Sequence, residues 1–401
     1  MKKFTFIDLF AGCGGLSEGF YAKNFDALAH VEIDRYACET LRDRMAYYGY
    51  SKAQINSSVL EADITNSDTH QKLEKIIGFK SLDLIIGGPP CQSFSSLGRA
   101  KDAKGMKDDP RNFLFEAYEE ILDKYLPKFF VFENVTGLLT ATIKGKKTID
   151  LILQRLGKNY KLLENPSSMV LDACDYGVPQ IRKRVFLLGV RKDLSVDVSE
   201  IYKDIIQTHN NPSKPFSQEK LHYVTVKDAI GDLPKLLPGQ GQQAVKFISN
   251  NSNSFLKKIR DPGQKYLYDH VCRTHNPIDR ERYKEMSKNR WTFKELLQNR
   301  KDLQHPKQRV FGNSYVVQFW DKPARTIISH LYKDGNQFIH PDPSQERTLT
   351  AREAARLQSF PDNFMFAGSR TQQYKQIGNA VPPLMSEKIA ESIRNVLDKI
   401  S

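Results

Sequence analysis

Phe4-Thr-Phe-Ile-Asp-Leu-Phe-Ala-Gly-Cys-Gly-Gly15 is the stretch from which the fold class is read. Its first part is apolar and β-prone, as a strand of a buried sheet must be. Glycines at 12, 14 and 15 then allow a tight turn and a close approach of backbone to a ligand, which a Cβ would block. A helical pattern follows from residue 16 to 23. Strand, glycine turn and helix in this order predict the first unit of a doubly wound α/β sheet. Working outward, residues 27–33 and 59–64 read as further strands, and 82–86 is a run that is apolar except for Asp83. Residues 129–132 and 184–190 continue the sheet, with helical segments at 112–125 and 147–156. Beyond residue 190 the texture changes to Pro, Gly, Asn and Ser clusters, such as Leu237-Pro-Gly-Gln-Gly and Asn250-Asn-Ser-Asn-Ser. That predicts a second, smaller, loop-rich domain, for which the periodicity draws no strands. Helical patterning returns at 348–360 and again from 384 to the end.

Four constellations in the first part carry chemistry. Glu32 lies 20 residues beyond Gly12 at the end of strand two, where an acid accepts ribose hydroxyls, and Asp63 follows strand three. Where a pyrophosphate-binding loop has its third glycine this chain has Ser17, so the loop alone specifies only a nucleotide-like ligand. Gly87-Gly-Pro-Pro-Cys-Gln-Ser-Phe-Ser follows the strand at 82–86, and the carboxyl ends of such strands are where ligands bind. A thiolate at Cys91 suits attack on an electron-poor ring carbon; most free cysteines are buried and inert, but a Gly-Gly-Pro-Pro turn is not a strand interior. Glu133, in Phe132-Glu-Asn-Val135, emerges on the same sheet edge, where a partly desolvated carboxyl can hydrogen-bond N3 of a pyrimidine. In Gln180-Ile-Arg-Lys-Arg-Val185, strand alternation would put Arg182 and Arg184 on one face, able to hold a base carbonyl and a phosphate.

Composition bounds the partners. Sixty Lys and Arg against 47 Asp and Glu give +13, and residues 191–340 hold 26 of the bases against 16 of the acids, or +10 of that surplus. A polyanion fits this balance, as does a solvated surface. No run approaches the ~18 apolar residues of a membrane span, and the N-terminus reads as a strand and not as a signal peptide. Five scattered cysteines suit reduced thiols in a cytosolic compartment. His270, Cys272 and His275 lack a second ligand pair at finger-like spacing, so no metal is expected.

The order Asp-Leu-Phe-Ala-Gly-Cys-Gly-Gly, Pro-Pro-Cys-Gln, Glu-Asn-Val and Gln-x-Arg-x-Arg resembles the DNA cytosine-5 methyltransferases, in their prokaryotic restriction–modification form. Arg347-Thr-Leu-Thr-Ala-Arg-Glu-Ala-Ala-Arg-Leu-Gln-Ser-Phe-Pro361 and Gln376-Ile-Gly-Asn-Ala-Val-Pro-Pro383 are similar to the last two motifs of that family. The resemblance implies a Rossmann-like S-adenosylmethionine-dependent methyltransferase domain at 1–190 plus 372–401. It also implies a target-recognition domain at 191–371, which contains the variable region 191–345. Cys91 would attack carbon 6 of a flipped cytosine in a specific duplex DNA sequence. Glu133 would hold N3 and the exocyclic amine, and Arg184 would hold O2, with Arg182 supporting the same pocket. For the cofactor, Phe10 would stack on the adenine and Gly12, Gly14 and Gly15 would pass the methionine part. Glu32 would take the ribose and Asp63 with Ile64 the adenine, while Pro90 and Leu114 line the pocket. Asn379 with Ala380 would close it; Ser is common in the family where Ala380 stands. The polar stretch 92–110 resembles the catalytic loop, with residues 95–97 filling the gap left by the base. A cytoplasmic, nucleoid-associated monomer is expected, linked by function and not by contact to a cognate restriction endonuclease.

Four rivals are weaker. A Rossmann oxidoreductase leaves Pro-Pro-Cys-Gln without a role, and an amino-group methyltransferase needs Asp or Asn where Gly88 stands and an aromatic where Cys91 stands. A regulator without catalysis does not need Cys91, Glu133 and Arg184 together. An RNA cytosine-5 methyltransferase shares the chemistry, but the basic 191–345 stretch favours duplex DNA, because reading a groove requires such a module.

Overall fold

A computed structural model describes residues 2–400 except 79, 91–113, 144, 212–219, 248–252 and 305–313. The chain divides into two compact units. One comprises residues 1–172, 183–207 and 383–401, and the other residues 173–182 and 208–382. The segments expected from sequence, 1–190 plus 372–401 and 191–371, place the boundaries elsewhere: the second unit also takes the ten residues 173–182 and keeps 372–382.

In the first unit, β1 (Phe4–Leu9) leads through the glycine turn into α1 (Gly15–Ala22), and β2 (Phe25–Glu32) leads into α2 (Arg35–Tyr47). α3 (Lys52–Ser58), β3 (Val59–Glu61), α4 (Ser67–Ile77) and β4 (Leu84–Gly87) follow. α5 (Leu114–Tyr125) precedes β5 (Phe129–Val135), and the short β6 (Tyr160–Lys161) and β7 (Val170–Asp172) precede β8 (Lys183–Arg191). These strands form an eight-stranded sheet in the order β3-β2-β1-β4-β5-β8-β6, with β7 also on β8. β1 to β5 pair in parallel and β8 runs antiparallel to β5. The central strands bury both faces: Phe6, Ile7, Leu9, Leu84, Ile85, Ile86, Phe129, Phe130 and Val131 are fully buried. Burial on both faces is why these strands read as continuous apolar runs. The order turns back between β1 and β4, so the crevice at their carboxyl ends is the ligand position of an open α/β sheet. Gly19 of α1 lets the C-terminal helix Pro383–Ile400 approach closely, for a Cβ there would lie 2.3 Å from the Glu387 nitrogen.

The second unit holds small elements. A ribbon pairs Gly241–Lys246 with Tyr266–Val271, and helices run over Pro277–Asn289, Ala351–Leu357 and Arg370–Asn379. The helix expected at 348–360 is thus the shorter Ala351–Leu357, opened by a capping box of Thr350 and Glu353. No described helix is long and apolar enough to cross a membrane.

Histidines held low give the fold an acid limit: His30, His209 and His340 are buried and His275 is half-buried. Burial pushes His30 and His340 down to about 3, with Arg347 adding to the effect at His340. Burial also lowers His209 and His275 to about 4, helped by Lys258 and Arg273 respectively. An unfolded histidine titrates near 6.5, so between about pH 6.5 and 4 the unfolded chain binds protons that the folded chain refuses. Stability is therefore complete above that window and falls through it. Asp8, which burial pushes up to about 8, works in the opposite direction, as do Glu32 and Asp269, whose carboxyls burial also raises. Glu353 and Asp362, which burial would raise but arginines hold below their ordinary range, add to the histidines. The thermal midpoint at pH 5 should fall well below that at pH 7; equal midpoints would mean that these histidines are hydrated.

Candidate active site

The turn after β1 is built for a ligand. Phe10 has φ 61, Gly12 φ 55 and Gly14 φ 88. Holding a phenylalanine in the left-handed region costs about 1 kcal/mol, which a surface turn would avoid with glycine. Gly14 serves space as well as conformation, because a Cβ there would stand 2.7 Å from Leu41 Cδ2. Glu32, at the end of β2, closes the other side. Its carboxylate accepts the Gly12 N–H at 2.7 Å and the Ile33 and Asp34 N–H groups at 2.8 Å each. Burial raises the Glu32 carboxyl above its ordinary range, and the three N–H donors pull it back. Oε1 takes the Ile33 and Asp34 N–H groups, whereas Oε2 takes only the Gly12 N–H and keeps a further lone pair, so the acid is fixed in place yet able to accept from a hydroxyl. Ile33, beside it, is 68% exposed and offers an apolar face at the sheet edge. Sequence reasoning missed Ile33; its signal is an apolar residue directly after the strand-end acid.

Asp63 follows β3, and its Oδ1 accepts from the Thr65 N–H at 2.9 Å and the Thr65 hydroxyl at 2.8 Å. Ile64 is buried, with its carbonyl 2.8 Å from His70 Nε2. Pro90 and Leu114 are both half-buried.

The second cluster grows from strand register. Gly87 pairs with Phe132, so Gly88 leaves β4 beside Glu133 on β5. A Cβ on Gly88 would lie 2.9 Å from Glu133 Oε2, and Asn134 Nδ2 donates to the Pro89 carbonyl at 3.1 Å. The Gly-Gly-Pro-Pro turn is therefore tied to the Glu-Asn-Val segment. Cys91, the next residue after this turn, lies outside the described residues, as does the expected catalytic loop at 92–110. Opposite Glu133 on β8 is Phe186, which makes Arg184 a diagonal neighbour on the same face. Arg184 Nε reaches Glu133 Oε1 at 3.1 Å, with the two side chains 13% and 14% exposed. Burial lowers the Arg184 guanidinium from its ordinary range, and the Glu133 carboxylate counters that.

Arg182 does not share this face. β8 begins at Lys183, so the alternation expected from 182 to 184 does not apply, and Arg182 falls in the second unit. Only 1% exposed, it donates to the carbonyls of Ile327 at 2.7 Å, Ala380 at 2.8 Å and Gly378 at 3.3 Å. Gln180 takes the Ile327 N–H at 2.9 Å and donates to the Leu357 carbonyl at 3.0 Å and to Gln358 at 2.6 Å. Gln358 in turn donates to the Ile377 carbonyl at 2.6 Å. These side chains brace the backbone that carries Asn379, which is exposed, and Ala380, which is buried. Nothing in the spacing of Gln358 announced that part; a lone glutamine after a helix is ordinarily a surface residue.

The family model of the C-5 cytosine-specific DNA methylases matches residues 4–395. The chain belongs to that family. Type II methyltransferase M.Bpa9945I of Bacillus paralicheniformis is 34% identical over 98% of this chain and 99% of its own. Type II methyltransferase M.DdeI of Desulfomicrobium norvegicum is 35% identical over 98% of this chain and 89% of its own. Among solved structures, an E. coli chain described as a prophage-encoded DNA modification methyltransferase superposes with TM-score 0.72 at 26% identity. It covers 99% of this chain and 100% of that one. As a C-5 cytosine-specific DNA methylase the chain is a methyltransferase whose substrate is DNA, and the Rossmann-like expectation for its first part holds. The rival oxidoreductase and amino-group readings fall with this assignment.

Proposed function

We propose that this chain methylates carbon 5 of a cytosine flipped out of a specific duplex DNA sequence, using S-adenosylmethionine. The observation that carries this reading is the Glu133–Arg184 pair set against the Gly88 turn that leads into Cys91. Carboxyl and guanidinium on one face match the N3, amine and O2 edge of cytosine, and the nucleophile follows one turn away in sequence.

The residues around Gly12 suit the proposed cofactor. A fixed carboxylate at a strand end fits a ribose diol, and the glycine turn leaves its backbone open to an amino-acid moiety. We assign Phe10, Gly12, Gly14, Gly15, Glu32, Asp63, Ile64, Pro90 and Leu114 to it, with Asn379 and Ala380 on the strength of their motif. When bound, S-adenosylmethionine supplies an electrophilic methyl on a sulfonium, the partner that an enamine-like carbon 5 requires. The Cys91 thiolate creates that carbon by adding to carbon 6 and breaking the 5,6 double bond. Glu133 accepts from the exocyclic amine and, in its protonated form, donates to N3, giving up that proton as thiolate addition makes N3 basic. Arg184 donates to O2, where part of the new charge settles. After the C5 proton leaves, its electron pair re-forms the double bond and expels the Cys91 sulfur. Flipping the base costs a few kcal/mol, which binding must offset. We further assign the chain, as a cytoplasmic monomer, to the modification half of a restriction–modification pair.

Bisulfite sequencing of DNA from methylation-free cells expressing the chain tests this. Methylated cytosines in one short context are expected. Unmethylated DNA from cells holding soluble protein would move the substrate to RNA and overturn the proposal.

A further inference from the structure

The strand pair Gly241–Lys246 and Tyr266–Val271 is the longest in the second unit among the described residues. Its two faces differ. Leu267 and Asp269 are buried and Val245 is half-buried, so that face belongs to the core. Gln243, on the same side, is itself exposed and rests its side-chain amide on the Asp269 carboxylate. The other face is open along Gln242, Ala244 and Lys246 and at Tyr266, while Tyr268 is half-buried and His270 is buried, its ring on the Thr350 hydroxyl and the Pro234 carbonyl. Register places Gln242 opposite His270, Ala244 opposite Tyr268 and Lys246 opposite Tyr266. Gln242, Ala244 and Lys246 are exposed, Tyr266 is 51% exposed and Lys265 beside it is exposed. On the far side, Arg352 donates to the Tyr268 carbonyl at 2.8 Å, so the helix Ala351–Leu357 covers the Tyr266–Val271 edge and leaves Gly241–Lys246 outermost.

An open ribbon face with a lysine, a glutamine, a tyrosine and no carboxylate, and with Lys265 at its end, is not what solubility requires. It fits a polyanion with readable edges. The ribbon lies in the stretch that carries +10 of the chain's +13, which makes the charge complementary to DNA over a wider area. Two strands about 4.8 Å apart, with side chains standing off them, match a major groove roughly 12 Å wide. Each component has a task there. A glutamine amide pairs bidentately with the N6 and N7 of adenine, a lysine meets phosphate or guanine, and a tyrosine packs on a thymine methyl or a sugar. Gly241 lets the ribbon start flush with its partner, since a Cβ there would stand 2.2 Å from the His270 carbonyl oxygen.

We propose that this ribbon enters the major groove and reads sequence, with Gln242 as a base-reading residue and Lys246 as a phosphate contact. The proposal rests on duplex DNA being the substrate, and its test separates the two. Gln242→Ala, Lys246→Ala and Tyr266→Ala are exposed changes that leave the Glu133–Arg184 cluster and the glycine turn intact. Each variant would methylate a pool of duplexes randomised around the site, read by bisulfite sequencing, while binding to the preferred duplex is followed against salt. Gln242→Ala should relax preference at one base position by roughly 5- to 150-fold. Lys246→Ala should weaken binding to all duplexes alike and reduce the salt slope by about one. Unchanged sequence profiles and salt slopes in all three variants would overturn the ribbon proposal. A wild-type chain that methylates no duplex would instead remove the substrate reading beneath it.

Discussion

Replacing Cys91 by serine should lower turnover by at least about four orders of magnitude while leaving DNA affinity within a few-fold. A thiol supplies a usable fraction of thiolate near neutral pH, whereas a serine hydroxyl without an adjacent base does not. What remains in the variant is Glu133 with Arg184 on the sheet edge, able to hold a base but not to make its carbon 5 nucleophilic. The loss should therefore fall on kcat and not on DNA binding. A second readout separates chemistry from folding: duplex carrying 5-fluorocytosine at the target should trap a covalent adduct with the unaltered chain and none with Cys91→Ser. The fluorine at carbon 5 cannot leave as a proton does, so elimination of the sulfur stops. Adduct formation by the serine variant, or turnover within tenfold of the unaltered chain, would remove Cys91 from its role.

The first unit was readable from sequence because parallel strands buried on both faces write themselves as apolar runs. The reading at 27–33 corresponds to Phe25–Glu32 and that at 82–86 to Leu84–Gly87. Glycines at positive φ marked the turn, and an acid at the end of β2 marked its partner. The second unit resisted because its interior is partly polar. Helix Ala351–Leu357 is buried on every side, yet two of its seven residues are arginines with no exposed surface. Hydrophobic periodicity cannot find a core of that kind. Helix Pro277–Asn289 hides only Arg282, Tyr283, Met286 and Ser287, so it too reads as surface.

Arg182 marks where motif reasoning stops. Two arginines in Gln-x-Arg-x-Arg look equivalent in a string, but the strand starts between them. Arg184 pairs with Glu133, whereas Arg182 braces three carbonyls far away in sequence. Alternation assigns faces only inside a strand, so a one-residue shift in the boundary decides whether a cation meets the Glu133 carboxylate or backbone carbonyls.

Arg356→Met should destabilise the second unit by about 3–5 kcal/mol, because it breaks a closed charge network and leaves carboxylates behind. The Arg356 guanidinium grips Asp362 with two hydrogen bonds of 2.7 and 2.6 Å, and reaches Asp232 at 2.7 Å and the Ala229 carbonyl at 3.0 Å. Arg260 bridges the same two acids from outside, through Nη2 to Asp232 and Nε to Asp362 at 3.3 Å. With Arg356 gone, two acids with side chains 1% and 3% exposed would keep only Arg260, with Arg352 4.0 Å from Asp362. Burial alone would raise the Asp362 carboxyl; the Arg356 guanidinium overrides that and holds it below its ordinary range. An acid so lowered contributes stability above its unfolded pKa and loses it as pH falls through the folded value. Without the arginine, burial raises the carboxyl instead, so the variant's fold takes up a proton as pH falls and the loss is largest near neutral pH and smaller at pH 5. Urea unfolding of the unaltered and Arg356→Met chains at pH 7.5 and at pH 5 measures both effects. A loss under about 1 kcal/mol at pH 7.5 would mean that water replaces the guanidinium, and that these arginines border a wet cleft instead of forming a core.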